Sequence, residues 1–111
     1  VNLIDTDQKY GHRQDPEGYA KSLQEFDRCV PALVSKLKDD DLLIITGDHG
    51  NDPTDDSTDH TREFVPLLVF PSNAAAQKKL GTRKTFKDVT ASVAQYFNLE
   101  ENFVADSFYA G

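Results

Sequence analysis

The chain has a single cysteine, Cys29, and one thiol forms no internal disulfide. Cys29 falls in a helical pattern, which predicts a buried, inert thiol. Methionine is missing altogether, even at position 1. The sequence opens directly on a strand-like stretch, VNLID, where natural domains ordinarily begin with some slack. The expectation is a piece of something longer. Basic residues are few: 12 Lys and Arg stand against 19 Asp and Glu, for a net charge of −7. A phosphate backbone is repelled by such a chain, so nonspecific nucleic-acid binding is excluded. A small phosphorylated substrate is not, because a bound divalent cation reverses the local field. No apolar run is long enough to span a membrane, and no signal peptide opens the chain. Internal repeats and low-complexity linkers are also lacking. With 111 residues, 38% of them hydrophobic and 28% charged, the sequence reads as one soluble domain covering 1–111.

The pattern along the chain alternates strands and helices. Val1 to Asp5 reads as a short strand ending near Asp5–Asp7. Asp15-Pro16-Glu17 is a helix start: Asp15 caps, Pro16 suits the first helical position, and Glu17 faces the positive helix end. Tyr19, Leu23, Phe26, Val30, Leu33 and Leu37 then recur at steps of three and four, giving one apolar stripe. Pro31 is expected to kink or split that helix near Val30. Asp39, Asp40 and Asp41 form a solvated stop. LLIIT, Leu42 to Thr46, and, within PLLVFP, Pro66 to Phe70 read as buried strands of a parallel sheet. A short helix is expected over Ala74 to Leu80, closed by Gly81. Thr85 to Asp88 resembles a capping box, ahead of a helix whose apolar face is Phe86, Val89, Val93, Tyr96 and Phe97. The tail from Glu100 stays ambiguous. The fold class predicted is α/β, a mainly parallel sheet with flanking helices.

Between the two LL-rich runs lies TGDHGNDPTDDSTDHTREFVPLL. Asp48 and His49 offer oxygen and nitrogen at the end of a predicted strand. His60 returns after an excursion rich in turn residues. Carboxylate and imidazole without thiolate suit Mn²⁺, Zn²⁺ or Fe; calcium is less apt because histidine serves it poorly. An EF-hand is excluded, because Pro53 stands where glycine is needed. Ligands gather beyond the carboxyl ends of strands in α/β sheets. That places Asp7 and His12, after the first strand, on the same edge as Asp48 and His49. Three histidines, each near acids, leave a metal site and plain exposed side chains as two open readings. Asp55, Asp56 and Asp59 read as solvated loop acids, whereas Asn51 and Asp52 are candidates to orient ligands. Arg13 and Arg62 read as surface ion pairs or phosphate holders.

DHGNDPT followed by TDHTREFVPLL resembles the signature of phosphopentomutases in the alkaline phosphatase superfamily. NLIDTDQKYGHRQD resembles that family's preceding metal-binding segment, and GTRKTFKDVTASVAQYF its late helix. The resemblance runs from about Val1 to Phe97. It implies the C-terminal, metal-binding portion of an alkaline phosphatase-like core. Asp48 and His49 would serve one divalent ion, most often manganese in this family, and Asp7, His12 and His60 the other. The implied reaction moves a phosphoryl group between the 1 and 5 positions of ribose or 2-deoxyribose, by way of a phosphorylated threonine, in the cytoplasm and in nucleoside catabolism. The family's nucleophilic threonine has no counterpart here, since Thr46, Thr54, Thr58 and Thr61 do not match its motif. The expectation is therefore an isomerase segment that is inactive by itself and open to self-association. Two alternatives remain: a phosphatase or phosphoglycerate mutase of the same superfamily, and a metal-binding module that never catalyses.

Overall fold

In the computed structural model, residues 1–71, 79–99 and 104–109 are described. The chain divides into two compact units, Val1–Ala75 and Ala76–Gly111.

The first unit begins without the predicted strand. Val1 to Ile4 carry no ladder partner, and from Thr6 to Gly11 the chain coils into a π-helical turn. Its wide pitch shows in bonds spanning five residues, His12 N–H to Asp7 O at 3.0 Å and Asp15 N–H to Tyr10 O at 2.9 Å. Lys9 pairs back to Asp5 across one turn at 2.7 Å. A strand at this position needs a neighbour to satisfy its backbone, and a coil satisfies it locally.

Helix α1 spans Pro16–Val34. It starts as predicted: Asp15 Oδ1 accepts from Gly18 N–H at 2.9 Å, and Pro16 sits where its missing donor costs nothing. The expected split near Val30 is not found, and α1 runs unbroken through Pro31. The helix stops three residues short of Leu37, closing with tighter bonds from Lys36 N–H to Leu33 O and Leu37 N–H to Val34 O. The aspartates after it make a turn, with Asp41 Oδ2 accepting from Lys38 N–H at 2.8 Å. Cys29 is exposed rather than buried and donates weakly to Glu25 O. The difference is general to α1, which buries no residue and leaves Leu23 and Leu33 of the expected apolar stripe exposed. α1 packs on the π-helical turn, where Thr6 Oγ1 and Ser22 Oγ are 2.9 Å apart.

Strands β1, Leu42–Thr46, and β2, Leu67–Pro71, form where expected. Their pairing corrects the parallel expectation: they run antiparallel, with Leu42 opposite Pro71 and Thr46 opposite Leu67. A parallel pair needs a crossover, usually a helix. The connection from Gly47 to Pro66 holds none, and it folds back on itself through a bridge between Gly50 and Thr61. The strands are half-buried rather than enclosed.

In the second unit, α2 spans Lys87–Tyr96. The predicted capping box does not form: Phe86 occupies the cap position without a side-chain cap bond, and Asp88 turns inward. The buried face also differs from the apolar one expected. Asp88, Ser92 and Ala94 are buried, while Phe86, Val93 and Phe97 are exposed. Of the helix expected over Ala74 to Leu80, residues 74–78 lie outside the described residues. Gly81 keeps a positive φ of 68°, a conformation natural to glycine.

Candidate metal centre

The π-helical turn decides the geometry of the first two groups. In an ordinary α-helix, side chains three and four residues apart meet. The wider turn instead brings residues five apart into register, so Asp7 Oδ2 lies 3.5 Å from His12 Nε2. Asp7 thus stands on a coil, not at a strand tip as the sequence suggests.

The other imidazoles come from the long connection. Gly50 lets its two limbs cross: a Cβ there would lie 2.5 Å from Thr61 O and collide with Glu63 N as well, both backbone atoms. Thr61 N–H donates to Gly50 O at 3.2 Å across the crossing. His49 and His60, each next to a bridging residue, therefore stack, with ring centroids 3.5 Å apart and planes 15° apart.

These elements meet at Asp7. Its Oδ1 is 3.3 Å from His60 Nε2 and 3.8 Å from His49 Nε2. His12 Nε2 and His60 Nε2 lie 3.2 Å apart. Asp7, His49 and His60 each present a ligand atom within 4.8 Å of the other two. Asp48 joins from the rim, its Oδ1 3.6 Å from His49 Nε2, with a side chain 81% exposed against 28–43% for the three histidines. The five residues singled out in the sequence are thus brought together. Their grouping differs in detail, because His49 faces Asp7 and His60 as well as Asp48.

The hydrogen bonds point the right nitrogens inward. His12 Nδ1 is 2.6 Å from Thr58 O, and His49 Nδ1 is 3.1 Å from Gly50 O. A carbonyl only accepts, so each Nδ1 carries the proton and donates. In the neutral ring, Nε2 is then the acceptor nitrogen, and it is the one that faces Asp7. Two such nitrogens beside a carboxylate repel unless a proton or a cation lies between them. The donor set of a carboxylate and imidazoles, with oriented rings, fits a divalent transition ion.

The remaining loop acids do other work. Asp52 Oδ1 accepts from Thr54 N–H at 2.9 Å and Thr54 Oγ1 at 2.6 Å. These bonds, the side-chain one first, hold the Asp52 carboxyl below its usual range. Asp55 Oδ1 caps Ser57 N–H at 2.9 Å. Asp55, Asp56 and Asp59 are exposed, as the sequence reading holds. Asp52 is thus committed to Thr54, whereas Asn51 reaches Asp7 Oδ1 at 3.4 Å. Gln14 and Tyr19 were missed in the sequence. Gln14, held at a φ of 53°, donates to Asp55 O at 2.6 Å and ties the loop to the end of the coil. Burial pushes the Tyr19 phenol up, and the nearby Asp7 charge adds to the rise. Only the unusual backbone of Gln14 and the coil around Asp7 bring these two into the neighbourhood, and neither leaves a mark in the residue pattern. Arg13 and Arg62 are exposed and enter no ion pair among the described residues.

Comparison with known proteins bears on the same segment. The profile of a family described as "Metalloenzyme superfamily" matches residues 1–101. A phosphopentomutase of Acetivibrio thermocellus is 51% identical over 108 residues, covering 97% of this chain and 28% of the relative. One of Dictyoglomus turgidum is 52% identical, with 97% and 27% covered. One of Alkaliphilus metalliredigens is 46% identical, with 97% and 28% covered. The chain thus spans little more than a quarter of the length of these relatives.

Proposed function

Because the chain belongs to the metalloenzyme superfamily, we propose that it is the metal-holding part of a phosphopentomutase, an isomerase that moves a phosphoryl group between the 1 and 5 positions of ribose or 2-deoxyribose. The observation that carries this is the convergence of His12, His49 and His60 on one carboxylate, Asp7. Similarity to phosphopentomutases across 97% of the chain supports it from the sequence side.

Asp7, His12 and His60 are the ligands we assign to one divalent ion, and Asp48 with His49 part of the set for a second. Manganese is the ion we assign to both: the donors admit it alongside zinc and iron, and it is the ion that the resemblance to phosphopentomutases implies. Such a pair of ions, when bound, spreads the negative charge of a transferring phosphoryl group and ionises the attacking hydroxyl. The protein's own part is orientation. Thr58 O and Gly50 O hold two rings in the tautomer that leaves Nε2 free. The exposed rim at Asp48 leaves room for further groups. Arg13 and Arg62, both exposed and close in sequence to the assigned ligands His12 and His60, are the cations we assign to the substrate phosphate. The nucleophilic threonine and the remaining ligands belong, in this reading, to the part of the relatives that this chain does not match. The cytoplasm is the setting we assign, where a lone exposed thiol such as Cys29 stays reduced. Exposed Leu3, Ile4, Leu23, Phe64 and Leu68 support association of the isolated chain with itself.

A chimera tests the proposal. This chain replaces the matching segment of the Acetivibrio thermocellus phosphopentomutase, and conversion of ribose 1-phosphate to ribose 5-phosphate is followed with Mn²⁺ present. The chimera is expected to turn over, and the isolated chain is not. A chimera that folds like its parent but is inert sinks the assignment.

A further inference from the structure

Asp7 is the carboxylate that all three imidazoles face, so whatever holds its oxygens in place shapes the whole site. Two independent observations identify that support. Asn51 Nδ2 lies 3.4 Å from Asp7 Oδ1, the oxygen that also faces His60 and His49. An ionised carboxylate only accepts, so the amide nitrogen is the group turned toward it. The same amide nitrogen also stands over the Cα of Gly11. A Cβ at Gly11 would lie 2.5 Å from Asn51 Nδ2 and 3.0 Å from its Cγ. Gly11 is also the one buried residue among the described residues of the first unit. Its φ is not in the left-handed region, where only Gly81 lies among the described glycines. Glycine at position 11 is therefore explained by space and not by backbone conformation.

We propose that Asn51 is a positioning residue: seated on the bare Cα of Gly11, its amide holds Asp7 Oδ1 turned toward His49 and His60 and so sets the affinity of the site for a divalent ion. The proposal rests on the metal reading given above. The 3.4 Å contact is too long to hold the carboxylate by itself. The Gly11 floor is what limits the amide's freedom, and the two act as one clamp. The π-helical turn supplies the geometry, since it carries Asp7 at one end and Gly11 at the other.

The test titrates Mn²⁺ into the full chain, reading the free ion by electron paramagnetic resonance, with thermal unfolding recorded in metal-free buffer. Asn51→Ala is expected to weaken Mn²⁺ binding by roughly 10- to 100-fold, the usual cost of losing a group that orients a ligand, with the metal-free melting temperature little changed. Gly11→Ala is expected to weaken binding similarly and also to lower the melting temperature. The double variant Gly11→Ala/Asn51→Ala is expected to recover that melting temperature, because the clash is gone, but not the Mn²⁺ affinity. Binding by Asn51→Ala within twofold of the parent overturns the proposal, as does a double variant that regains affinity. A metal-free arm follows the side-chain amide signals of Asn51 by NMR, which should shift in Asp7→Asn and in Gly11→Ala; signals unmoved by both refute the clamp. Failure of the parent chain to bind Mn²⁺ at all counts against the metal reading, and the NMR arm still decides the clamp.

Discussion

The two units use polar residues in opposite ways. In the first, Asp7, His12, His49 and His60 gather with ring nitrogens and carboxylate oxygens 3.2–3.8 Å apart, and their side chains stay 28–43% exposed. In the second, polar groups are the interior. Asp88 is 3% exposed and Ser92 fully buried, beside Ala94 and Phe108. There both oxygens of Asp88 and the hydroxyl of Ser92 have partners. Asp88 accepts from Arg83 Nε at 2.8 Å and from Asp106 N–H at 3.1 Å. Ser92 Oγ donates to Asp88 O at 2.7 Å and accepts from Phe108 N–H at 2.9 Å. Arg83 also donates to Asp106 O and lies over the Phe108 ring, 6.0 Å from its centroid. The segment around Asp106–Phe108 is thus fastened to α2 by polar clasps. A buried, well-paired polar cluster holds a structure together, whereas a half-exposed one whose nitrogens and oxygens converge leaves room for a ligand.

Substitutions in the two clusters should separate these roles. The largest effect is expected from His60→Ala in the chimeric enzyme. Turnover should fall 100-fold or more, on the order of what losing a transition-state stabiliser costs, with the melting temperature nearly constant. A comparable loss of stability would mean that the imidazoles are structural and would erase the contrast. Asp88→Ala should do the reverse. It strands the mostly buried Arg83 and costs about 3 kcal/mol, read from chemical denaturation by circular dichroism, while Mn²⁺ affinity is unchanged.

A smaller loss is expected from Ser92→Ala, which removes the acceptor of Phe108 N–H at a cost of about 1–3 kcal/mol. Hydrogen exchange at Phe108 should rise selectively; if the amide stays protected, the clasp is not what holds this segment. The smallest effect concerns Asp52. Its carboxyl is held low by Thr54, so the bond favours the folded state above the unfolded carboxyl's range and loses that benefit as pH falls through the depressed value. Thr54→Val removes the side-chain bond and should raise the Asp52 titration toward the ordinary carboxylate range, as seen by NMR. An unmoved titration would show that the backbone bond alone suffices.

Much of this was legible in the residues. The start of α1 follows from Asp15-Pro16, because capping is a local matter of one side chain and the first turn. LLIIT and LLVF become strands because branched runs suit a pleated surface. Residue order placed Asp7, His12, Asp48 and His49 in loops after predicted strands, but left a metal site and plain exposed side chains open; only the resemblance of DHGNDPT and TDHTREFVPLL to a known family singled the five out as ligands. The misreadings share a cause. Strand direction, the inward turn of Asp88 and the coil over Thr6–Gly11 depend on what lies across space, and residue order does not report it. Phe86, Val93 and Phe97 look like a buried face by periodicity, yet the side of α2 that meets Phe108 is the polar one.

The residue types by themselves determined which chemistry is available: hard and borderline donors, no thiolate among them, and a surplus of negative charge for a cation to offset. Only the tertiary structure decided that one carboxylate faces three rings. A wide helical turn spaces Asp7 from His12, and a glycine crossing stacks His49 on His60. Both depend on the close approach of backbone to backbone, a steric condition that emerges when the chain closes on itself.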